Sequence, residues 1–397
     1  MLDLQYVRSH FPALQNDFVF MDNAGGSQVP QQVVERIGEY LSSYNVQLGA
    51  SYEVSAMAGQ KLKEVTSRLA GFIHARRPEE VVVGPSTSML LRILSICLSR
   101  QWQAGDEVIV TNSDHEANVS CWMDLQEKGI VVKIWQLNPE TLEFDLEDLR
   151  QLLSARTKLV AMVHASNILG TINPVRKVAE VVHDAGALLC VDGVAYAPHR
   201  PIDVQALDAD FYAFSTYKVY GPHLAILFGR YELLREMDGI NHYFIGKEEV
   251  PYKFQPGNFN YELTYGLQGI LDYFDALQAH HDAPLFDLIA NHEESLAETL
   301  LTYLRDIPEV RIIGRADSKR DQRVPTISFV HEHFQSSDIV SKVDPYHIGI
   351  RFGDFYAKKL IHDLDLEEKD GVVRVSLVHY NTVEELNSLI KVFERIF

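Results

Sequence analysis

One lysine stands among aromatic residues, directly after a short run that is typical of a buried strand. Lys218 follows Phe211–Phe214 and lies between Tyr217 and Tyr220, with no acidic residue close behind it in the chain. Burial disfavours the charged form of an amine, so such a lysine has a lowered pKa and can attack a carbonyl group. The alternative is a lysine whose stem packs on aromatic rings while its amine reaches water.

A carboxylate and an amide follow two other apolar runs. Asp192 ends the wholly apolar run Ala187–Val191, so its carboxylate emerges from a buried strand and needs a positive or hydrogen-donating partner. Capping of the next helix is the alternative, which the glycine and proline that follow weaken. Asn167 comes after the run Lys158–His164, where an Asx turn is the simpler interpretation.

Hydroxyl groups and a histidine open two predicted helices. Ser86, Thr87 and Ser88 follow a strand, where hydroxyls at a helix N-terminus suit a phosphate as well as they suit ordinary capping. An S-x-x-E pattern that starts at Ser113 matches a capping box and predicts that His115 lies in the first helical turn. The helix dipole there favours a neutral imidazole, which could stack on an aromatic ligand or simply face water.

Taken together, these side chains indicate a binding site, because ligands of open α/β sheets bind beyond the carboxyl ends of the strands. The set supplies what pyridoxal 5′-phosphate needs: donors for its phosphate, a stacking partner, a lysine for its aldehyde and a carboxylate for its ring nitrogen. One more strand fits between Asp192 and Lys218. The sequence therefore predicts a site for this cofactor.

The elements that would position these residues alternate short β-branched runs with longer segments of helical period. Some runs are apolar on both faces, which is typical of strands buried between helical layers. We predict an α/β fold with a mostly parallel, doubly wound sheet. Its strands are Glu79–Val83, Glu107–Thr111, Val131–Leu137, Lys158–His164, Leu188–Val191, Phe211–Phe214 and Ala225–Phe228. Helices are predicted over Met89–Arg100, from His115 to Lys128, and after Leu146 and Pro174.

After residue 260 the pattern changes to long helices alternating with isolated strands. We predict a large cofactor-binding domain over residues 18–260, and a small α+β C-terminal domain over 261–397 together with the N-terminal arm 1–17. The predicted elements of the small domain are Leu285–Arg305, Val310–Ile313, Thr326–Val330, Val372–Val375 and Val383–Phe397.

Composition narrows the classes of partner. The 397 residues carry 36 basic and 55 acidic side chains, and the net charge of −19 without a basic run argues against nucleic acid or an anionic membrane. No apolar stretch approaches the roughly 18 residues of a membrane span, and Met1–Leu4 does not look like a secretory signal. Cys97, Cys121 and Cys190 have neither disulfide nor metal spacing, so we expect buried thiols, a cytoplasmic protein and no metal site.

Several blocks, in order along nearly the whole chain, resemble the class V aminotransferases of pyridoxal-phosphate fold type I, and within them the cysteine desulfurase-like proteins. The blocks are Met21–Gly26, Asp114–Asn118, His164–Pro174, Val191–Gly193 with Pro198 and His199, Ser215–Pro222, Arg351–Gly353, Val373–Leu377 and Tyr380–Thr382. The resemblance implies fold type I, the cofactor pyridoxal 5′-phosphate, and a homodimer with shared active sites. It also implies a reaction on an α-amino acid through an external aldimine.

The resemblance further implies roles for single residues. Lys218 would form the Schiff base and act as base at Cα, Asp192 would pair with the ring nitrogen, and His115 would stack on the ring. Asn167 would bind the ring hydroxyl, and Arg374 would bind the substrate carboxylate. The other implied positions are Ser86, Thr87, Ser88, Ser215, Tyr217 and, from the neighbouring subunit, Asn258 for the cofactor, with Gly25, Gly26, Arg351 and Tyr356 for the substrate.

Departures from the family pattern bear on the reaction. Tyr356 stands where cysteine desulfurases carry the cysteine that takes sulfur from the substrate, and a phenol cannot replace a thiolate. Ala195 replaces a glutamine near the ring hydroxyl, Tyr217 replaces the usual histidine before the lysine, and Asn258 replaces a threonine. The main cofactor-binding residues, Lys218, Asp192, His115 and Asn167, therefore match the family pattern, while groups specific to the reaction are changed.

These departures favour C–S β-elimination or amino transfer without a protein persulfide, and leave epimerisation open. The alternative is a catalytically retired protein that serves as a structural or partner-binding subunit. It is weakened because a scaffold has no use for Lys218, Asp192, His115 and Arg374 as a set. A nicotinamide-dependent dehydrogenase is disfavoured because no G-x-G-x-x-G follows the first strand.

Overall fold

The computed structural model describes residues 1–397. Its strands are β1 (Val19–Phe20), β2 (Val81–Gly84), β3 (Glu107–Thr111), β4 (Val131–Trp135), β5 (Thr157–Val163), β6 (Leu188–Asp192), β7 (Phe211–Ser215), β8 (Ala225–Gly229), β9 (Val310–Ile313), β10 (Thr326–His331), β11 (Ile348–Gly349), β12 (Arg351–Gly353) and β13 (Val372–Ser376). Its helices are α1 (Leu4–Ser9), α2 (Gln31–Ser43), α3 (Glu53–Phe72), α4 (Thr87–Ser99), α5 (Ser120–Met123), α6 (Leu146–Leu152), α7 (Val175–Asp184), α8 (Val204–Leu207), α9 (Tyr231–Glu236), α10 (Tyr261–His280), α11 (Leu285–Arg305), α12 (Ser336–Val343), α13 (Lys358–Asp363) and α14 (Val383–Ile396).

A seven-stranded sheet with the strand order β2-β8-β7-β6-β5-β3-β4 forms the centre of the molecule. Strands β3 to β7 pair in parallel, whereas β8 is antiparallel to both of its neighbours. Along β5, Val160 and Met162 join one hydrophobic core while Leu159 and Ala161 join another. Successive strand residues point to opposite faces, so the sheet is buried on both sides. The prediction of a mostly parallel, doubly wound sheet is confirmed.

Local differences from the predicted elements have identifiable causes. The segment from His115 to Lys128 is not one helix, because it consists of the 3₁₀ turn Glu116–Asn118, the short α5 and the 3₁₀ turn Asp124–Lys128. Strand β2 starts two residues later than predicted, since Pro78–Glu80 forms a 3₁₀ turn. Helices α2, α3 and α10 were not predicted from the sequence, and they pack together on one side of the sheet.

A second, antiparallel sheet with the order β12-β13-β10-β9 lies towards the C-terminus. Its inner face packs on α11, α12 and α14 through a core that includes Leu300, Phe329, Val373 and Phe393. The predicted segments Leu285–Arg305 and Val310–Ile313 are confirmed as α11 and β9. None of the helices combines the length and the apolar character that spanning a lipid bilayer requires.

The N-terminal segment and α10 pack with the central sheet. Val7 and Phe11 join the same hydrophobic core as Tyr273 and Leu277 of α10, and that core includes residues of the central strands. Strand β1 pairs with β11, and the next residue but one, Asp22, bridges to Ser376 at the end of β13. The N-terminal segment therefore contacts both sheets. The domain division at residue 260 stays a prediction.

Candidate active site

A cavity with about 480 Å³ of empty space opens at the carboxyl ends of the central strands. Parallel strands end at the same edge of a sheet, so side chains that are distant in the sequence meet there. The lining residues are Ser86, Thr87, Ser88, His115, Ala117, Val163, Ala165, Asn167, Asp192, Val194, Ala195, Ser215, Tyr217 and Lys218. Every cofactor position predicted from the sequence lines this cavity except Asn258.

A buried amine and a buried carboxylate occupy the same cavity. Lys218 lies in a 3₁₀ turn directly after β7, with Nζ 5.8 Å from the ring centroid of Tyr217. Burial and then the charge of Arg374 lower the pKa of Lys218, while Asp192 opposes this effect. Asp192 ends β6, and burial raises the pKa of its carboxyl group. Its Oδ1 accepts a hydrogen bond from the N–H of Val194 at 2.9 Å.

His115 is fixed at the cavity wall as a neutral imidazole. It caps the 3₁₀ turn Glu116–Asn118, with Nδ1 accepting from the N–H of Ala117 at 3.0 Å. Burial, with the nearby charge of Lys218, lowers the pKa of His115 to about 4. Because Nδ1 accepts, the single proton of the neutral ring lies on Nε2.

The predicted capping box around His115 is wrong. The turn begins after His115, so His115 itself is the cap and does not lie inside the first turn. The hydroxyl of Ser113 is buried and has no hydrogen-bond partner. The prediction of a neutral imidazole does agree with the structure, although burial is the main cause.

Hydroxyl groups gather at the start of α4. Ser86 caps this helix by accepting from the N–H of Met89 at 3.2 Å, which is the ordinary capping role considered above. The buried hydroxyls of Thr87 and Ser215 share a hydrogen bond of 2.7 Å. Hydroxyls beside the free N–H groups of a helix N-terminus form a site suited to a phosphate.

Arg374 approaches the cavity from β13. Its fully buried guanidinium donates from Nη2 to Asp22 Oδ1 at 2.8 Å and from Nη1 to the carbonyl oxygen of Asn167 at 3.2 Å. The ring of Phe355 covers the guanidinium, with 3.7 Å between Arg374 Cζ and the ring centroid. Asn167 Nδ2 donates to the carbonyl oxygen of Phe355 at 2.9 Å. Asn167 Oδ1 is buried and accepts from no N–H, so no Asx turn forms.

Sequence reasoning assigned no role to Asp22 or Phe355. Asp22 lies within the block Met21–Gly26, and Phe355 follows the block Arg351–Gly353 by two positions. The signal available in the sequence was therefore that a carboxylate and an aromatic residue lie in or beside blocks that match the family. Their contacts with Arg374 could not be read from the chain, because three separate segments meet there.

The predicted substrate positions surround Arg374 and the cavity mouth. Arg351 faces Arg374 across the β12–β13 pair, and a Cβ added at Gly26 would lie 3.6 Å from the Tyr217 ring. The side chain of Tyr356 is exposed, and its ring centroid lies 5.3 Å from that of His115. The carbonyl oxygen of Tyr356 accepts from the N–H of Glu116 at 2.7 Å. The segment that carries Tyr356 therefore contacts the cavity wall.

Asn258 is the cofactor position that the structure does not bring into the cavity. Its side chain exchanges hydrogen bonds with that of Gln47, at 3.0 and 3.3 Å. The resemblance assigned Asn258 to the site of a neighbouring subunit.

Comparison with known proteins places the chain in a family. The family model for aminotransferase class-V matches residues 19–389. The chain belongs to the class-V aminotransferases. This class-V aminotransferase is 42% identical to the aminotransferase-like protein FGM3 of Gibberella zeae, over 99% of the chain and 98% of that protein. It is 36% identical to the cysteine desulfurase-like protein ustD of Aspergillus flavus, over 100% of this chain and 91% of that protein.

Solved structures agree with this relationship. The cysteine desulfurase CsdA of Escherichia coli has a TM-score of 0.86 and 27% identity, covering 100% of this chain and 98% of that one. The cysteine desulfurase of Thermococcus onnurineus has a TM-score of 0.90 and 25% identity, with the same coverage. The fold is therefore fold type I, as the resemblance implied.

Class-V aminotransferases and cysteine desulfurases depend on pyridoxal 5′-phosphate, so the chain is an enzyme that uses this cofactor. The cavity residues fit the cofactor. Asn167 Oδ1 is a buried acceptor without a partner, and Asp192 is a buried carboxylate in need of a cation. Hydroxyls at a helix start and a buried amine complete the donor set that the cofactor requires.

Proposed function

We propose that this class-V aminotransferase acts at Cα of an α-amino acid, as a C–S β-elimination lyase or an aminotransferase, and forms no persulfide on the protein. The state of the cysteines carries this proposal. Cys97, Cys121 and Cys190 are buried and none lines the cavity. Burial raises the pKa of Cys97 to about 11 and that of Cys121 to about 12. A thiol that stays protonated is a poor nucleophile.

The cavity residues supply binding and proton transfer in this proposal. Bound pyridoxal 5′-phosphate supplies an electron sink for the charge that develops at Cα. Lys218 holds the cofactor and then moves the Cα proton, because burial keeps part of its amine uncharged near neutral pH. Asp192 keeps the proton on the ring nitrogen, and the neutral ring of His115 stacks on the cofactor.

The remaining residues hold the two ends of the bound molecules. Thr87 and Ser215, with Ser86, Ser88 and Tyr217, bind the phosphate, and Asn167 Oδ1 accepts from the ring hydroxyl. Arg374 binds the α-carboxylate of the substrate, and its buried fork gives that contact direction. Gly25 and Gly26 leave room at the substrate entrance, where Arg351 and Tyr356 also lie.

We extend the proposal to a cytoplasmic homodimer in which Asn258 serves the neighbour's site. The position of Asn258 away from its own cavity supports this, as do the exposed Tyr243 and Phe244 on the same connection between α9 and α10. Light scattering should give twice the chain mass. Co-expression of Lys218→Ala with Asn258→Ala should yield mixed dimers with one intact site, whereas two inactive variants that never complement would contradict shared sites.

A substrate panel tests the reaction. Holoenzyme is mixed with L-cysteine, cysteine sulfinate and other amino acids, with and without a keto acid. Elimination from L-cysteine releases pyruvate, ammonia and sulfide in equal amounts, with one water consumed. Amino transfer yields at most one equivalent of the substrate's keto acid per site without an acceptor, and continues only when a keto-acid acceptor is present. A cofactor-loaded protein that turns over no amino acid would contradict the proposal and favour a structural subunit.

A further inference from the structure

Asp22 places a carboxylate where the substrate carboxylate is expected. Its Oδ1 lies 2.8 Å from Nη2 of Arg374, and its Oδ2 lies 3.9 Å from Nη1 of Arg351. The Asp22 side chain is 29% exposed, that of Arg351 60%, and that of Arg374 only 2%. One carboxylate therefore pairs tightly with a buried guanidinium and loosely with an exposed one.

Strand pairing creates this arrangement. Arg351 and Arg374 are direct partners in the antiparallel register of β12 and β13. Direct partners present their side chains on the same face of the sheet, and like charges there repel each other. Asp22, held by its bridge to Ser376, brings the one carboxylate within 4 Å of either guanidinium. The two arginines together therefore carry one more unit of positive charge than Asp22 alone can neutralise.

The guanidinium of Arg374 is incompletely satisfied. One carbonyl oxygen, from Asn167, and one oxygen of Asp22 are its acceptors, while the buried Nε has none. A buried N–H without an acceptor costs free energy, and a carboxylate is the group that best matches the arginine fork. A second carboxylate is therefore favoured at Arg374, but it would meet Asp22 there.

We propose that the α-carboxylate of the substrate displaces Asp22 from Arg374, and that Asp22 then pairs with Arg351. The inference rests on the proposed role of Arg374 as the carboxylate-binding residue. After the exchange, the substrate carboxylate pairs with Arg374 and Asp22 pairs with Arg351. The negative charge of Asp22 is then neutralised and does not repel the substrate. Asp22 and Arg351 are then positioning residues that set the preference for amino compounds bearing a carboxylate.

The local backbone permits the present position of Asp22. A Cβ added at Gly25 would lie 2.8 Å from Asp22 Oδ2 and 3.1 Å from its Cγ, closer than a side chain tolerates. Gly25 therefore leaves the space in which the carboxylate lies between the two arginines. Burial lowers the pKa of Lys218, and the charge of Asp22, like that of Asp192, opposes part of this lowering.

Two carbonyl reagents test the exchange without knowledge of the substrate. Amino-oxyacetate carries a carboxylate and O-methylhydroxylamine does not, and both capture the aldehyde of the bound cofactor with a change in absorbance. The ratio of their second-order rate constants on the holoenzyme measures recognition of the carboxylate. Any effect of a variant on Lys218 acts on both reagents and cancels in the ratio.

Asp22→Asn should raise this ratio by about three- to tenfold, because no resident charge has to leave Arg374. Arg351→Gln should lower it by a similar factor, because Asp22 loses the partner that receives it. In the Asp22→Asn background the effect of Arg351→Gln should be much smaller, which a double-mutant cycle detects. Asp22→Ser repeats the test with a smaller neutral side chain in case Asp22→Asn folds poorly.

An Asp22→Asn ratio that stays the same or falls would overturn the exchange, since Asp22 would then only support Arg374. Equal effects of Arg351→Gln in both backgrounds would overturn it too, because Arg351 would then attract the reagent directly. Arg374→Gln checks the underlying proposal separately and should abolish the preference for amino-oxyacetate. A preference that survives Arg374→Gln contradicts the role of Arg374 itself.

Discussion

The ring of Phe355 lies against the guanidinium of Arg374, with 3.7 Å between the ring centroid and Cζ. The backbone supports this contact at a cost, because Phe355 and the next residue, Tyr356, both have positive φ angles, +50° and +59°. Such conformations cost on the order of 1 kcal/mol or more in bulky residues, so neighbouring contacts must hold them. The hydrogen bond from Asn167 to the carbonyl oxygen of Phe355 is one of these contacts.

Phe355→Ala should weaken substrate binding, because it removes the ring that covers Arg374. A cation–π contact of this kind contributes about 1 to 2 kcal/mol, so KM should rise about five- to thirtyfold with a smaller change in kcat. Steady-state kinetics with an amino acid identified in the panel measure both constants. Phe352→Ala is the matched control, since Phe352 is a partly exposed phenylalanine on β12. Equal effects of the two variants would contradict a specific role for Phe355.

Borohydride reduction of the holoenzyme should fix the mass of the cofactor on Lys218 and bleach its visible absorbance. Lys253 is the internal control, because it is also buried but its amine donates to the carbonyl oxygens of Arg235, Met237 and Lys247. Peptide mass spectrometry should find the added mass on the Lys218 peptide and not on the Lys253 peptide. Lys218→Ala should lose the signal. An unchanged visible spectrum in that variant would contradict the assignment.

Stability should fall as the pH is lowered from about 6.5 towards 4. Burial lowers the pKa of His115 to about 4, and those of His164 and His379 to about 3, from an ordinary value of 6.5. Between these values each of the three histidines is protonated in the unfolded chain and neutral in the folded one, so their titration favours unfolding in acid. Burial raises the pKa of Asp114 to about 8 and that of Asp192 to about 6, which offsets part of this loss. Urea unfolding midpoints at pH 7.5, 6.5, 5.5 and 4.5 measure the loss, under buffer conditions matched across the series.

The variant His379→Gln distinguishes the loss of stability caused by histidine titration from a general loss of stability. The variant loses the hydrogen bonds of His379 with Tyr220 and Tyr273, so it should be less stable than the wild type at pH 7.5. It should nevertheless lose less stability on acidification, since one titrating group is gone. The exposed His242→Gln serves as control and should keep the full acid dependence. A His379→Gln curve that parallels the wild type would contradict the assignment.

Tyr356→Cys should create a sulfur acceptor. The Tyr356 side chain is 65% exposed at the cavity mouth, so a thiol there can ionise more readily than the buried cysteines of the chain. L-cysteine would then give L-alanine and one persulfide on the introduced thiol, which mass spectrometry detects. Tyr346→Cys, at another exposed tyrosine, is the matched control. Persulfide on both variants would mean unspecific exchange, and persulfide on neither would contradict this placement of residue 356.

Part of the site could be predicted from the chain because the relevant groups follow consecutive strands of one sheet. Asp192 ends β6, while Asn167 and Lys218 follow β5 and β7 within one turn, and these three strands are neighbours in the sheet. Thr87 begins α4, which follows the edge strand β2, yet this helix start was recognisable from the sequence as a possible anion site. Ser215 and Tyr217, which also line the cavity, were implied only by the family resemblance, whereas local patterning sufficed for these four residues. It failed at Ser113, where a matching motif forms no capping box because the turn starts later.

The sequence alone determined the type of sheet, the lysine, the carboxylate and the cofactor that suits them, since apolar runs and strand-end residues depend on local periodicity. Only the tertiary structure decided what surrounds Arg374. Asp22, Asn167 and the segment that carries Arg351 and Phe355 reach it from three separate parts of the chain, and their meeting depends on how the second sheet packs on the first. Contacts of this kind produce no periodic pattern in the sequence, because each contact involves a single residue from each segment.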